Sequence, residues 1–264
     1  MPLPPRPHIS LSALTVHHRK TLALDALTLD FERGVHGLLG PNGAGKTSLI
    51  RVLATVAPAT AGRVEVLGHD LADRRALPAV RRRLGYLPQD FGFYPGFTVR
   101  EFVAYVAWLK ELSRETTGAA VERALERVGL GDRADARMKT LSGGMLRRAG
   151  IAQALVNEPD VLLLDEPTAG LDPEQRVEFR ELLRDVGRDA AVLVSTHLVE
   201  DVAAACTEVT LLAEGRVAYR GTTEQLAALG ADPAEAGDHP IERGYTAALR
   251  HHRATAPSAA GVTR

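Results

Sequence analysis

Residues 40–47 read Gly40-Pro41-Asn42-Gly43-Ala44-Gly45-Lys46-Thr47. The compact apolar run 35–39 before them predicts a strand, and the pattern of residues 46–54 after them predicts a helix. In a strand–loop–helix context, such glycines let backbone N–H groups close around phosphate oxygens at the positive end of the helix. The stretch therefore predicts a P-loop that binds a nucleotide, with Lys46 on the β- and γ-phosphates and the Thr47 hydroxyl on magnesium.

A pair of acidic residues follows a short, wholly apolar run further along the chain. Residues 161–164 read Val-Leu-Leu-Leu and predict a buried strand that ends at Asp165 and Glu166. A carboxylate at the carboxyl edge of a sheet can reach magnesium, so Asp165 is a candidate metal residue. Strand alternation turns the next side chain in another direction, which makes Glu166 a candidate proton acceptor for an attacking water. The alternative is that both acids simply end the strand.

A third stretch, Leu141-Ser142-Gly143-Gly144-Met145, lies between the glycine-rich loop and the acidic pair. Ser142, Gly143 and Gly144 predict the start of a helix, and their hydroxyl and exposed amides suit a phosphate. An ordinary Ser-Gly-Gly helix start is the alternative. The position of Ser142-Gly143-Gly144 before the acidic strand favours a second phosphate-binding element.

These three stretches, in this order, resemble those of the nucleotide-binding subunit of ATP-binding cassette (ABC) transporters. The resemblance runs from about Gly40 to His197, and the flanking strands extend it to most of the 264 residues. It implies ATP and Mg²⁺ as cofactors. The residues that it assigns to ATP are Gly40, Pro41, Asn42, Gly43, Ala44, Gly45, Lys46, Thr47, Ser48, Ser142, Gly143, Gly144 and Asp172. It assigns the metal to Thr47, Gln89 and Asp165, and the catalytic roles to Glu166, His197 and Gln89.

Some of these roles come from the resemblance alone. Gln89 matches the family's glutamine loop, His197 its switch histidine, and Asp172 lies in what resembles its inter-subunit loop. The chain departs from the family at His17 and His18, where an aromatic residue usually stacks on adenine; these histidines either stack more weakly or are ordinary surface residues. Met145 replaces the glutamine often found after Leu-Ser-Gly-Gly, which removes a polar contact.

The resemblance also implies partners. It places the P-loop and Ser142 at opposite ends of the domain, so two chains must face each other head to tail to enclose one ATP. Only one cassette is present, which implies a second ATPase subunit, with a homodimer expected. No stretch approaches about 18 uninterrupted apolar residues, so a transmembrane permease must be a separate chain, and this chain is expected to be peripheral on the cytoplasmic face of the cell membrane.

Composition bears on competing functions. The chain has 32 basic and 33 acidic residues, so no overall charge favours binding to nucleic acid, and none is expected as a partner. A non-transport ABC ATPase that acts on nucleic acid or ribosomes remains the alternative function. A small-molecule phosphotransferase would share the P-loop but would not need Ser142-Gly143-Gly144. The sequence around residues 86–97 and 215–221 resembles exporters of drugs or lipids, so export is the expected direction.

The fold class predicted is α/β, a P-loop NTPase core with a mainly parallel sheet, an N-terminal antiparallel β layer and an inserted helical subdomain. Residues 8–228 form the expected ATPase domain, with the helical subdomain at about 96–140. Residues 229–250 are a C-terminal extension, and disordered tails are expected at 1–7 and 254–264. Trp108 in the helical insertion is interpreted as a packing residue. The aromatic residues Phe91, Phe93, Tyr94 and Phe97 fit either hinge packing or a docking groove for a membrane partner.

Overall fold

A computed structural model describes residues 8–231 and 236–255 of the chain. The strands are β1 (Ile9–His18), β2 (Thr21–Phe31), β3 (Gly34–Leu39), β4 (Ala61–Val66), β5 (His69–Asp70), β6 (Leu84–Leu87), β7 (Val161–Asp165), β8 (Ala191–Ser195), β9 (Glu208–Ala213) and β10 (Arg216–Gly221). The helices are α1 (Lys46–Leu53), α2 (Leu77–Arg82), α3 (Val99–Leu109), α4 (Arg114–Arg127), α5 (Gly143–Leu155), α6 (Pro173–Val186), α7 (Val199–Ala205), α8 (Thr223–Leu229) and α9 (Pro240–Thr255). The α/β class with an antiparallel N-terminal layer is confirmed.

The larger sheet has six strands in the order β10-β9-β3-β8-β7-β6. Neighbours from β9 to β6 are parallel, and only β10 pairs antiparallel with β9, through a hairpin. The strands β7 and β8 are buried along their whole length, which explains their unbroken apolar sequences. Because β3, β8, β7 and β6 run parallel to one another, their carboxyl ends lie at the same edge of the sheet.

The smaller sheet is the antiparallel layer, in the order β2-β1-β4-β5. Its two long strands, β1 and β2, have register shifts between Leu11 and Leu14 and again around Val16. Such irregularities increase the local twist of a strand pair. Leu24 of this layer and Leu49 of α1 lie in the same apolar core, so the layer covers helix α1.

Two apolar cores lie on the two faces of the parallel sheet. Leu163 points into the core that contains α1 and the antiparallel layer. Its neighbours Leu162 and Leu164 point into the other core, with α5, α6 and the helical insertion. This alternation along one strand fixes the P-loop helix on one face and helix α5 on the other.

The helical insertion leaves and rejoins the domain at adjacent points. Thr98 and Arg137 form an isolated antiparallel bridge, and Met138 N donates to Phe97 O at 2.8 Å. Thr98 also begins α3 with a capping box, in which its hydroxyl accepts from Glu101 N while the Glu101 side chain accepts from Thr98 N. The base of the insertion is therefore held by backbone contacts rather than by side chains alone.

Helix α9 packs against the main domain. Its residues Ala248 and Leu249 are buried in the same core as Leu226 of α8. A Cβ at Gly244 would overlap the Leu226 carbonyl, so only glycine permits this approach. Because α9 continues to Thr255, the predicted disordered stretch 254–264 was wrong for its first two residues; the remainder, and the predicted tail 1–7, lie outside the described residues.

The structure also shows how far Trp108 and the aromatic residues of the 91–97 loop are buried. Trp108 is 67% exposed, so its assignment as a packing residue was wrong. Phe91, Phe93 and Phe97 are partly buried against the core, whereas Tyr94 is 53% exposed. The aromatic loop therefore divides into a packed part and an exposed part. In the part of the chain that the structure describes, no helix has both the length and the apolar character that crossing a bilayer requires.

Candidate nucleotide-binding site

The predicted site residues lie at the carboxyl ends of four adjacent strands. The P-loop follows β3, His197 follows β8, Asp165 and Glu166 stand at the end of β7, and Gln89 follows β6. The strand register places Ser195 beside both Leu38 and Asp165. Segments separated by more than a hundred residues in sequence thus meet at one sheet edge, where open α/β sheets bind their ligands.

The P-loop depends on two glycines with conformations that other residues adopt with strain. Gly45 precedes α1 with φ 104°, and a Cβ there would lie 2.6 Å from Ala23 O. Gly40 has φ 152°, and a Cβ there would lie 2.4 Å from Leu212 O. The loop is therefore held tightly between β2 and β9, and a side chain at either position would displace it.

Lys46 is turned back into this loop. It is buried, and its Nζ donates to Gly40 O at 2.6 Å and to Pro41 O at 3.2 Å. Burial lowers the pKa of Lys46, while the carboxylates of Glu166 and Asp165 act in the opposite direction. The ammonium group therefore lies near both acids and can exchange its carbonyl contacts for those of a phosphate, which bind it more strongly.

Asp165 has the geometry expected of a metal residue. It is almost completely buried, and its Oδ1 accepts a hydrogen bond from the Ser195 hydroxyl. Among the described residues, no donor reaches its other carboxylate oxygen, Oδ2. A buried carboxylate oxygen is normally paired, and oxygen ligands are those that magnesium prefers. The free carboxylate oxygen of Asp165 is thus a donor that fits Mg²⁺, and the part of the Thr47 hydroxyl stays a prediction.

Glu166 is paired with His197. The two side chains meet through Oε2 and Nδ1 at 2.9 Å, with Glu166 mostly buried and His197 more than half exposed. Glu166 has φ 50°, which is unusual for a residue with a side chain, and its N–H donates to Ser195 O at 3.0 Å. The pair is a carboxylate oriented by an imidazole, an arrangement that can accept a proton from water.

Gln89 and the histidines near the P-loop have less defined surroundings. The Gln89 side chain is exposed, and its backbone carbonyl accepts from Arg147 Nη1 at 2.9 Å. His18 Nε2 lies 2.8 Å from Ser48 Oγ, so this histidine stands beside the P-loop helix while remaining exposed. His17 is also exposed. His18 is therefore the histidine that the structure brings to the predicted nucleotide site.

Ser142 and Asp172 each begin a helix. The Ser142 hydroxyl accepts from Met145 N at 3.3 Å at the start of α5, and Asp172 Oδ1 accepts from Gln175 N at 2.9 Å at the start of α6. A Cβ at Gly144 would lie 2.8 Å from Gln175 Oε1, so the two helix starts pack closely. Ser142, Gly143 and Asp172 are exposed. Their predicted contact with ATP stays a prediction.

Comparison with known proteins agrees with this geometry. A family model described as ABC transporter matches residues 24–169, which include the P-loop, Ser142 and Glu166. The chain belongs to the ABC transporter family. The daunorubicin resistance ATP-binding protein DrrA3 of Streptomyces coeruleorubidus is 41% identical over 208 residues, which cover 78% of this chain and 65% of that protein. The Nod factor export ATP-binding protein I of Paraburkholderia xenovorans is 42% identical over 209 residues, covering 78% and 68%.

The fold also matches solved ABC transporter cassettes. A dimeric bacterial ABC transporter cassette superimposes with a TM-score of 0.75 at 25% identity, covering 81% of this chain and 98% of that one. The present chain spans only 62% and 65% of the lengths of two of its curated relatives. The fold and family are therefore established, while activity and partners have to be argued from the site.

Sequence reasoning missed two residues at this site. Ser195 is not among the predicted site residues, although its hydroxyl donates to Asp165 Oδ1. Arg147 is not among them either, although its guanidinium donates to carbonyls of the Gln89 loop and of the end of β7. A polar residue ending the wholly apolar strand 191–194 was a usable signal for Ser195. Nothing in the local sequence distinguishes Arg147 from Arg148.

Replacement of Ser195 by alanine is expected to raise the Mg²⁺ concentration needed for half-maximal ATP hydrolysis by about 10- to 100-fold, as for other residues that orient a metal ligand. Alanine is small enough for this fully buried position but removes the hydrogen bond to Asp165 Oδ1. Magnesium titration of the ATPase rate measures the effect. Thr210→Val, which removes a buried hydroxyl from the nearby strand β9, serves as the control. An unchanged magnesium requirement in Ser195→Ala would contradict the assignment of Asp165.

Proposed function

We propose that this chain is an ATPase subunit that closes as a dimer around two Mg–ATP and drives transport, in the export direction, through a separate membrane subunit. The observation that carries the proposal is the meeting of the P-loop, Asp165 and the Glu166–His197 pair at one sheet edge. A phosphate chain, its metal and a water-activating base need this combination within a few ångströms.

The proposed chemistry assigns one task to each group. Lys46 leaves its loop carbonyls and neutralises the β- and γ-phosphates, while the P-loop amides hold their oxygens. Thr47, Asp165 and Gln89 would hold Mg²⁺, which supplies charge neutralisation of the phosphates when bound. Glu166 accepts the proton of the attacking water, and His197 orients the Glu166 carboxylate and contacts the γ-phosphate.

The proposed dimer is argued from Ser142. Its hydroxyl oxygen accepts the Met145 N–H, which leaves its own O–H free to donate to a phosphate oxygen. The adjacent amides at the start of the 13-residue helix α5 add a positive dipole end. In an isologous pair, each chain would place this helix start on the nucleotide held by the P-loop of the other, giving two equivalent sites. The dimeric cassette that this fold resembles supports such a pair.

A surface for the membrane subunit lies beside the Gln89 loop. Tyr94, Phe97, Tyr105 and Trp108 form a chain of ring contacts, with centroids 4.8–6.2 Å apart. Tyr94, Trp108 and Leu109 are each more than half exposed. A groove of about 620 Å³ lies alongside, lined by Phe91, Phe93 and Tyr105 among others. Exposed aromatic groups next to a groove are typical of protein interfaces, so this surface would hold the chain at the cytoplasmic face of the membrane.

The direction of transport rests on the relatives. Their printed names describe daunorubicin resistance and Nod factor export. An exporter ATPase is the function that this similarity favours for the present chain. The transported molecule would be selected by the membrane subunit, because the site described here provides only for nucleotide.

Dimerisation tests the proposal directly. We expect Glu166→Gln, which slows hydrolysis, to shift from monomer to dimer in size-exclusion chromatography with light scattering when Mg–ATP is added. Adding Ser142→Ala to that variant should abolish the shift. Ser113→Ala is the matched control, because Ser113 caps α4 in the same way that Ser142 caps α5, and either cap contributes about 1 kcal/mol to folding stability. A Glu166→Gln chain that stays monomeric in saturating Mg–ATP, even with the membrane subunit supplied, would overturn the proposal.

A further inference from the structure

Arg147 uses its whole guanidinium group to hold backbone carbonyls. Its side chain is buried on α5, five residues after Ser142. Nη1 donates to Pro88 O at 3.1 Å and Gln89 O at 2.9 Å. Nη2 donates to Asp165 O and Glu166 O, both at 2.6 Å, and Nε donates to Pro167 O at 3.1 Å. A guanidinium has five N–H groups, so these five contacts satisfy all of them.

The hydrogen bonds of Arg147 join two segments that the strand pairing of the sheet does not join. Strands β6 and β7 are paired only as far as Leu87 and Leu164, where β6 ends. The β6–β7 pairing does not continue into the segments that follow, which are Pro88 and Gln89 after β6 and Asp165 to Pro167 at the end of β7. The Arg147 guanidinium lies between the two segments and joins them. Arg147 is therefore a direct side-chain link between the Gln89 loop and the segment that carries the catalytic acids.

The guanidinium of Arg147 does not form a direct ion pair with a carboxylate. All its direct acceptors are neutral carbonyls, and the carboxylates of Asp165, Asp90 and Glu166 act on it only through their charge. Burial lowers the pKa of the Arg147 guanidinium, and those three carboxylates oppose the effect. A buried cation without a directly paired anion is unfavourable unless its donors are fully used. The buried guanidinium of Arg147 is therefore stabilised by the five carbonyls that it holds in place.

Helix α5 connects this network to Ser142. Five residues of α-helix span about 7.5 Å, a little more than one turn, so the helix start and Arg147 move together. We propose that Arg147 is a positioning residue that fixes the Gln89 loop and the Asp165–Glu166 backbone to helix α5. Engagement of Ser142 with a nucleotide held by a second chain is thereby transmitted to the catalytic pair of the chain's own site. The inference rests on the proposed function, because it requires that Ser142 serve the opposite site.

The neighbouring Arg148 offers a matched control. It lies on the same helix, and its Nη1 also donates to two carbonyls, Val128 O at 3.2 Å and Gly129 O at 3.1 Å, but these follow helix α4 within the helical insertion. Arg148→Met removes a guanidinium from α5 without touching the catalytic segments. It reports the effect of a general loss of packing on this helix.

The first measurement is amide hydrogen exchange of the full-length, nucleotide-free chain. In Arg147→Met we expect faster exchange in the segments 86–93 and 163–171, because five carbonyls lose their common donor. In Arg148→Met we expect faster exchange around 126–131 instead. Protection of the P-loop helix α1 should be unchanged in both variants, because neither side chain contacts it.

The second measurement separates binding from turnover. We expect Arg147→Met to lower kcat for ATP hydrolysis by about 10²-fold, which is the size of effect that a misplacement of about 1 Å can have. The affinity of the chain for a fluorescent ATP analogue should remain unchanged, because the P-loop contacts are intact. Arg147→Lys should recover part of kcat, since an ammonium keeps the charge and three of the donors.

The outcomes distinguish the inference from the proposed function. If Arg147→Met does not fold, Arg147→Lys decides: reduced kcat at unchanged nucleotide affinity supports the inference, and wild-type kcat overturns it. Exchange and kcat in Arg147→Met that match those of Arg148→Met would also overturn it, while leaving the proposed function intact. A wild-type chain that does not hydrolyse ATP, or a Ser142→Ala chain with wild-type rate, would overturn the proposed function and the inference with it.

Discussion

Glu166→Gln is expected to lower the rate of ATP hydrolysis by about 10²- to 10⁴-fold, the usual effect of removing a general base. Glutamine has the same size and can still lie beside His197, but it cannot accept the proton of the attacking water. ATP affinity should be retained, because the phosphate contacts come from the P-loop. Phosphate release measures the rate, and titration with a fluorescent ATP analogue measures binding.

Glu158→Gln is a suitable control for this variant. Glu158 is exposed, and it forms a surface ion pair with Arg123 at 2.8 Å, away from the strand ends that carry the site. Neutralising it changes the net charge of the chain as Glu166→Gln does, but it should leave the rate nearly unchanged. A Glu166→Gln rate within a few-fold of wild type would show that another group accepts the proton.

Two inactive variants, Lys46→Ala and Ser142→Ala, are expected to restore activity when they are mixed. Each variant alone carries its defect in both sites of a homodimer. In a head-to-tail heterodimer, one site combines both defects, whereas the other combines the intact Lys46 of one chain with the intact Ser142 of its partner. Random pairing gives half heterodimers with one good site each, so a rate of about a quarter of wild type is expected if the sites work independently.

The steady-state rate at saturating Mg–ATP, measured across mixing ratios, tests this prediction. The rate should be highest near equal amounts and fall towards zero at either end. A control mixture of Lys46→Ala with Glu166→Gln should not recover, because these two residues belong to the same half-site and every dimer then lacks an intact one. Recovery in the control, or none in the main mixture, would contradict the head-to-tail arrangement.

Much of the fold could be predicted because short-range patterns decide it. The apolar run ending at Asp165 is a buried strand, and the helix after the P-loop begins at Lys46, as expected. Helices α6 and α7 were not predicted. The sequence of α6 is rich in charged residues, and only Phe179, Leu183 and Val186 are buried, so its apolar face is narrow. Strand β6 is only four residues long, which is too short for a periodic signal.

In the candidate site, too, the local motifs could be predicted and the long-range contacts could not. The P-loop glycines and the acidic pair were recognisable because each occupies consecutive positions in a defined strand context. The contacts Ser195–Asp165, Glu166–His197 and Arg147–Gln89 join residues 30, 31 and 58 positions apart. Such contacts depend on sheet order and helix packing, which the local sequence does not encode. The exposure of Trp108 was missed for the same reason: α3 has an apolar pattern, but Trp108 lies on an outward face beside Tyr105 and is mostly exposed.

The hydrogen bonds of Lys46 to its own loop bear on how the chain behaves between rounds of nucleotide use. Because the ammonium group has two acceptors in its own loop, its buried charge is satisfied by the protein itself. In the proposed function, nucleotide binding would exchange these acceptors for phosphate oxygens, while the glycines keep the backbone of the loop in place. A pocket of this kind can be emptied and refilled repeatedly without any part of the domain having to refold.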